Sequence, residues 1–251
     1  MWKWINVCFL AIAFTVVQPC SLLAQQNINF TTLTVKEGLS SNTVNAIIKD
    51  RKGFMWLGTT NGLCKFDGIN FVTYRHIPGN DHSLPSNEVL TLFEDREGKI
   101  WVGTGGGGLC YYDQQYDLFL PYKGDGSWPK MANISARAIL EDHQGRLWVG
   151  TYDDLRIFNL QSGQITRPPL PYHLKSDLGT FVVLSLFEDS KQRMWIGTNI
   201  GIFLFDAVKG SLQKFDHRDN DPSSISDNRI KTITEDKQGN IWIGTIDGFN
   251  K

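Results

Sequence analysis

GKIWVGTGGGGLCYYD, residues 98–113, is the stretch that decides the fold. Four consecutive glycines, Gly105 to Gly108, stand behind Trp101 and ahead of Tyr111 and Tyr112. A glycine run can cradle a phosphate, or it can turn the chain sharply between two strands. A phosphate loop needs Gly-Lys-Ser/Thr after the run and a helix behind it. Leu109-Cys110-Tyr111 follows instead and alternates as a strand does.

Recurrence selects the turn. Trp56, Trp148, Trp195 and Trp242 match Trp101, at successive spacings of 45, 47, 47 and 47 residues. Their contexts agree: FMWLGTTNGLCKFD, KIWVGTGGGGLCYYD, RLWVGTYDDLRIFN, RMWIGTNIGIFLFD and IWIGTIDGFNK. Each tryptophan is followed by an aliphatic residue, a glycine (Gly58, Gly103, Gly150, Gly197, Gly244) and a threonine. Each is preceded by an apolar run and Asp: AIIKD, TLFED, AILED, SLFED, TITED. The four glycines therefore fill the slot that TTNG, TYDD, TNIG and TIDG fill elsewhere. Gly, Asn and Asp dominate that slot because tight hairpins need positive φ.

One period reads as four strands: VLTLFED (89–95), IWVGT (100–104), LCYYD (109–113) and LFLPY (118–122), joined by turns. Four short strands per roughly 45 residues is the blade of an all-β propeller. With strands a to d from the hub outward, the tryptophan lies on strand b, between neighbouring blades. Burying it stabilises the fold by about 2–3 kcal/mol. The glycine two residues on leaves room for the next blade.

The chain begins out of phase. NFTTLTVKEGLSSN (29–42) aligns with the strand d regions NFVTYRHIPGNDHSLPSN and LQKFDHRDNDPSSISDN. An N-terminal strand d that completes the last blade closes a ring without a free edge. That gives five blades if the ring closes here. The final period stops at GFNK, inside strand c, which reads as a truncation. The alternative is an open part of a larger, seven-bladed propeller.

Lys3 followed by the apolar run Ile5–Val17 and Ala24 reads as an export signal over residues 1–24, with the propeller over 25–251. Pro19 fits poorly before a lipidated Cys20. The mature chain then keeps Cys64 and Cys110, at equivalent points of adjacent blades and too far apart for a disulfide. A formal net charge of -1 offers no electrostatic footprint for nucleic acid or an anionic membrane.

The pairs Glu94-Asp95, Glu141-Asp142, Glu188-Asp189 and Glu235-Asp236 recur once per blade. A glycosidase needs one carboxylate pair across a cleft; repetition points to a structural role, Asp capping the a–b turn through backbone amides. His76, His82, His143, His173 and His217 show no zinc-ligand spacing, so no metal and no cofactor is expected. The chain is read as non-catalytic.

Variable loops on a regular scaffold are where binding lives. Here they are the b–c turns and d–a connections of the top face. Sugars stack on aromatics and take bidentate polar groups, so the candidates are Asn61, Trp128, Tyr152, Asp153, Asn199 and Asp247, with Tyr122 and Tyr172. The glycine run is expected to leave the rim low, bringing a ligand close to backbone amides.

The unit D-x-x-G-x-Φ-W-Φ-G-T-x-x-G-L-x-x-aromatic-D (Φ aliphatic), with SLPSN and SISDN between blades, resembles the two-component regulator propeller repeat over residues 30–251. Two units depart from it. The third has Asp154-Leu155 for Gly-Leu and ends Phe158-Asn159. The fourth has Lys191-Gln192-Arg193 in its a–b turn. The resemblance implies the periplasmic input region of a membrane sensor in a phosphorelay, detecting oligosaccharides, dimeric in the parent. Membrane attachment and any kinase activity would belong to the parent outside this chain. A stand-alone scaffold binding protein or glycan is the second reading, and a propeller lyase or glycosidase the third.

Overall fold

The structure is a computed structural model and describes residues 29–122, 134–170 and 181–251. The chain falls into two compact units, Met1–Thr32 and Leu33–Lys251, and the propeller lies in the second. The described residues hold strands and no helix.

Blade 1 is β1 (Val44–Lys49), β2 (Met55–Thr59), β3 (Gly62–Phe66) and β4 (Phe71–Tyr74). Blade 2 is β5 (Val89–Glu94), β6 (Ile100–Thr104), β7 (Gly108–Asp113) and β8 (Leu118–Pro121). Blade 3 is β9 (Ala138–Glu141), β10 (Arg146–Gly150), β11 (Leu155–Asn159) and the short β12 (Ile165–Thr166). Blade 4 is β13 (Val183–Glu188), β14 (Met194–Thr198), β15 (Gly201–Asp206) and β16 (Ser211–Phe215). Blade 5 is β17 (Ile230–Glu235), β18 (Ile241–Thr245) and β19 (Phe249–Asn250). Each sheet is antiparallel in chain order, so the molecule is a five-bladed all-β propeller whose last blade has three strands.

The core sits between blades. One cluster joins Trp56 and Leu63 of blade 1 to Val89, Ile100 and Phe119 of blade 2. Equivalent clusters follow at the next three boundaries. The inner strands β1, β5, β9, β13 and β17 touch in that order, and β1 and β17 make no comparable contact. Trp56, Trp101, Trp148 and Trp195 are buried accordingly. Trp242 is only half-buried, because no blade covers it.

The glycine after the tryptophan has the expected cause in the first four blades. A Cβ at Gly58 would stand 2.6 Å from Val89 Cγ1 of the next blade, and one at Gly150 would collide with Val183. The expected N-terminal strand d is corrected. Residues 29–34 form no strand, and β19 has no fourth partner. Residues 39–42 instead take the d–a connection before blade 1. Leu39 is buried, and Ser40 Oγ lies 2.8 Å from Thr59 Oγ1. Ser226 and Thr245 repeat that contact at 2.9 Å. The LSSN part of the alignment holds because this contact recurs; the strand part fails because nothing in the fold pairs with it.

Candidate functional site

The a–b turns use their aspartates completely. In blade 3, Asp142 Oδ1 accepts the amides of Gln144 (3.0 Å) and Arg146 (2.9 Å), as the turn reading expects. Its Oδ2 accepts the indole N–H of Trp148 at 2.8 Å. The same indole bond joins Asp50 to Trp56, Asp95 to Trp101, Asp189 to Trp195 and Asp236 to Trp242. Burial opposes ionisation of Asp142 and Asp189, but hydrogen bonds from the Arg146 and Arg193 side chains and from the indoles outweigh it and hold both carboxyls below the ordinary carboxylate range.

A cation covers each of the five repeat tryptophans. Arg146 and Arg193, at the start of strand b, lie over Trp148 and Trp195, and Lys99 over Trp101. Blade 1 has Phe54 and blade 5 has Asn240 at that position. There the cation comes from strand c: Lys65 over Trp56 at 5.2 Å, Lys251 over Trp242 at 5.5 Å. One cation per ring, from either of two positions, recurs in all five blades.

The glutamate of each acidic pair ties its blade to the preceding one. Glu94 accepts the Arg51 amide at 3.1 Å and Arg51 Nε at 2.9 Å. Glu141 accepts the Arg96 amide at 2.7 Å. Glu188 accepts the His143 amide at 2.7 Å and faces its Nδ1 at 2.6 Å. Glu235 accepts the Ser190 amide and hydroxyl, at 2.8 and 2.7 Å. Sequence alone placed these acids in structural roles but missed both the indole partner and the bond across the boundary.

On the top face the threonine after each glycine closes the b–c turn. Thr59 Oγ1 donates to the Gly62 carbonyl at 2.8 Å and Thr104 to Gly108 at 3.0 Å. Asp154 replaces glycine in blade 3, yet Thr151 still donates to its carbonyl at 3.2 Å, and its carboxylate pairs with Arg156 and Arg167. The glycine run does not expose amides as expected. Gly105, Gly106 and Gly108 donate to the Glu88 carbonyl, Ser135 Oγ and the Ile134 carbonyl. A side chain at Gly107 would meet the Pro85 backbone at 2.7 Å. These glycines let the connections pack down on the turn.

Two candidates make hydrogen bonds within the same turns. Asn61 donates its amide to Thr59 Oγ1 and its side chain to the Ser40 carbonyl. Asn199 is buried, and its Oδ1 accepts the Val182 amide at 2.8 Å. Tyr122 packs edge-on against Trp101 and Phe158. Tyr152 and Asp153 are exposed neighbours. Arg137 donates to the Tyr152 hydroxyl at 2.6 Å, with its guanidinium carbon 4.7 Å from the ring centroid. Asp247 is exposed in blade 5, two blades away. Trp128, Tyr172 and His173 lie outside the described residues. Arg137 was missed by sequence reasoning; the other blades carry Asn45, Leu90, Leu184 and Lys231 at its position, so the repeat gives no signal there.

Other chemistry is structural. His76 and His217 each place Nδ1 2.7 Å from a carbonyl of their own connection, Leu84 and Ile225. Between blades 1 and 2 a cleft of about 260 Å³ is lined by Phe54, Lys65, Tyr74, Tyr112 and Asp117. Both tyrosine hydroxyls donate to Asp117 Oδ1, at 2.7 and 2.6 Å. Those bonds hold the Asp117 carboxyl down, while burial, reinforced by Asp117, pushes Tyr112 up to about 12. Cys64 and Cys110 are buried and free, and burial pushes the Cys110 thiol up. Among the described residues no group of His, Cys, Asp and Glu could hold a metal ion.

The model of the two component regulator propeller family matches residues 38–61, 83–106, 130–153, 177–199 and 224–247, one match per blade. A histidine kinase P4 of Formosa agariphila is 43% identical over 65 residues, 26% of this chain and 5% of that protein. The extracellular domain of a hybrid two component system of B. thetaiotaomicron superposes with a TM-score of 0.69 at 24% identity, over 82% of this chain and 26% of that one. Virginiamycin B lyase of Staphylococcus aureus superposes at 0.58 with 16% identity, over 82% of this chain and 64% of that one. At these identities the two structures share the fold with this chain.

Proposed function

The chain belongs to the two component regulator propeller family, and from that premise we propose that it forms part of the ligand-binding input region of a two-component sensor, reading oligosaccharides without catalysing a reaction. The carrying observation is the division between the faces. The carboxylates of the a–b turns are bonded inside the repeat, whereas the b–c turns differ from blade to blade and expose Tyr152 and Asp153 beside Arg137. An aromatic ring beside a guanidinium, with an exposed carboxylate next to it in the sequence, is a set of groups that suits sugar hydroxyls.

The whole-protein part of the proposal rests on relatives of which this chain spans a small share. Residues 1–24 direct export to the periplasm. The parent sensor is membrane-anchored and dimeric through parts outside this chain, and any phosphorelay chemistry belongs there.

Isothermal titration of the full chain against a panel of neutral and acidic oligosaccharides tests the reading. One sugar class is expected to bind, with at least tenfold weaker binding in Tyr152→Ala and Asp153→Ala. Binding unchanged in both variants would remove the site. Absence of binding across the panel would remove the sugar.

A further inference from the structure

Asp117 ties blade 2 to blade 1 through one oxygen only. Its Oδ1 takes the hydroxyls of Tyr74 and Tyr112, while among the described residues no donor reaches its Oδ2. The Lys65 ammonium stands over the Phe54 ring at 4.2 Å and the Tyr112 ring at 5.5 Å, and among the described residues no acceptor takes a hydrogen bond from it. It is near enough to add to the Tyr112 and Tyr74 hydroxyls in holding the Asp117 carboxyl down, yet the two side chains form no ion pair. Arg146 and Arg193, which cover their tryptophans as Lys65 covers Trp56, are each paired with a capping aspartate at 2.7 Å.

These four groups depart from the repeat. Tyr112 stands where blades 3 and 4 have Phe158 and Phe205, and Tyr74 where blade 4 has Phe215. Lys65 stands where they have Ile157 and Leu204. Asp117 takes φ 53° where they place Gly163 and Gly210, a conformation that strains any residue with a side chain. Neighbour packing alone is met by the apolar residues and glycines of the other blades. Four polar replacements that meet in one cleft, one of them strained, mark a site with a further use.

We propose that the cleft between blades 1 and 2 is a binding site for a free amino acid, its carboxylate taken by Lys65 and its ammonium by Asp117. Charge selects the class. A simple anion would be repelled by Asp117 and a simple cation by Lys65, whereas a zwitterion answers both with charge-assisted hydrogen bonds. The tyrosine hydroxyls donate to Asp117 Oδ1 and keep lone pairs for the ammonium. Phe54 and the half-exposed Val72 offer the side chain an apolar wall. The volume of about 260 Å³ lies below the roughly 300–1,000 Å³ of drug-sized sites and suits one small molecule. Phe54 follows the a–b turn of blade 1 and Asp117 lies in the c–d turn of blade 2, on the face opposite Tyr152. The site is therefore separate from the one proposed for sugars.

Amide chemical-shift titration of the full chain with glycine, alanine, valine and leucine tests this. Shifts at Lys65, Val72 and Asp117 are expected, saturating at lower concentration for leucine than for glycine. N-acetyl-leucine lacks the ammonium and leucine methyl ester the carboxylate, and each is expected to bind at least tenfold more weakly than leucine. Asp117→Gly and Lys65→Leu install residues that blade 4 carries at those positions, and each is expected to weaken leucine binding at least tenfold. Oligosaccharides are expected to leave these amides unshifted, so the two sites fail separately. No shift at the cleft with any amino acid would overturn the proposal. So would equal binding of the two singly charged analogues, or leucine binding unchanged in either variant. If a variant does not fold, the analogues decide on the parent chain.

Discussion

Asp142 Oδ2 accepts the indole N–H of Trp148 at 2.8 Å while its Oδ1 holds two amides of the turn between them. One carboxylate therefore fixes both the turn and the large ring packed against the next blade. Asp142→Ala leaves that indole N–H and both amides without partners at a buried site. It is expected to cost about 2–4 kcal/mol, read as a shift in urea midpoint at unchanged slope. Asp236→Ala, in the half-covered fifth blade, is expected to cost clearly less. Equal losses would show that burial is not what makes the bond matter.

The same carboxylates set the acid limit. Asp142, Asp189 and Asp236 are held below the ordinary value of 3.8 in the folded chain. A depressed folded value means the unfolded chain takes up protons first. Their contribution is thus complete above about pH 5 and is lost as pH falls through 3.8 toward the folded values. A melting temperature flat from pH 7 to 5 and falling steeply below 4 is expected. A melting temperature that rises below pH 4 would contradict the assignment.

Gly150→Ala and Gly244→Ala separate a covered from an uncovered boundary. At Gly150 the new methyl meets Val183 of the next blade, at both Cγ1 and Cβ, and a Cβ cannot swing away. Overpacking there is expected to cost about 1–3 kcal/mol. At Gly244 the nearest atom is Thr232 Cγ2 of its own blade, 2.8 Å away, so a smaller loss is expected in the same melt.

Gln192 adopts φ 62° where the other a–b turns place Gly53, Gly98, Gly145 and Gly239. A side chain in the left-handed region costs roughly 1–2 kcal/mol, partly offset by the extra freedom glycine has when unfolded. Gln192→Gly is therefore expected to raise stability by about 0.5–1 kcal/mol. A loss of stability would show that the Gln192 side chain makes a compensating contact.

The number of repeats, the order of strands within a blade and the place of Trp101 were legible in the sequence because each repeat restates them. The recurrence of Glu94 and its counterparts also pointed to a structural role for the acidic pairs. Pairings that cross a blade boundary, such as Glu188 with His143, were not legible: the partners lie 45 residues apart and the donor changes from Arg to His to Ser. Asn199 misled because a polar residue in a variable turn looks available, yet its side chain closes the turn onto Val182. Arg137 was overlooked because its position varies from blade to blade, through Asn45, Leu90, Leu184 and Lys231, and only the fold brings it beside Tyr152. The N-terminal strand d failed for a related reason: pattern can place residues 29–34 beside β19, but only pairing makes a strand.

The most direct measurement is chemical-shift mapping of the full chain on titration with the oligosaccharide panel. Shifts confined to residues 151–154 and Arg137 on the top face are predicted. Shifts centred on the a–b turns around Asp95, Asp142 and Asp189, or none with any sugar, would contradict the account.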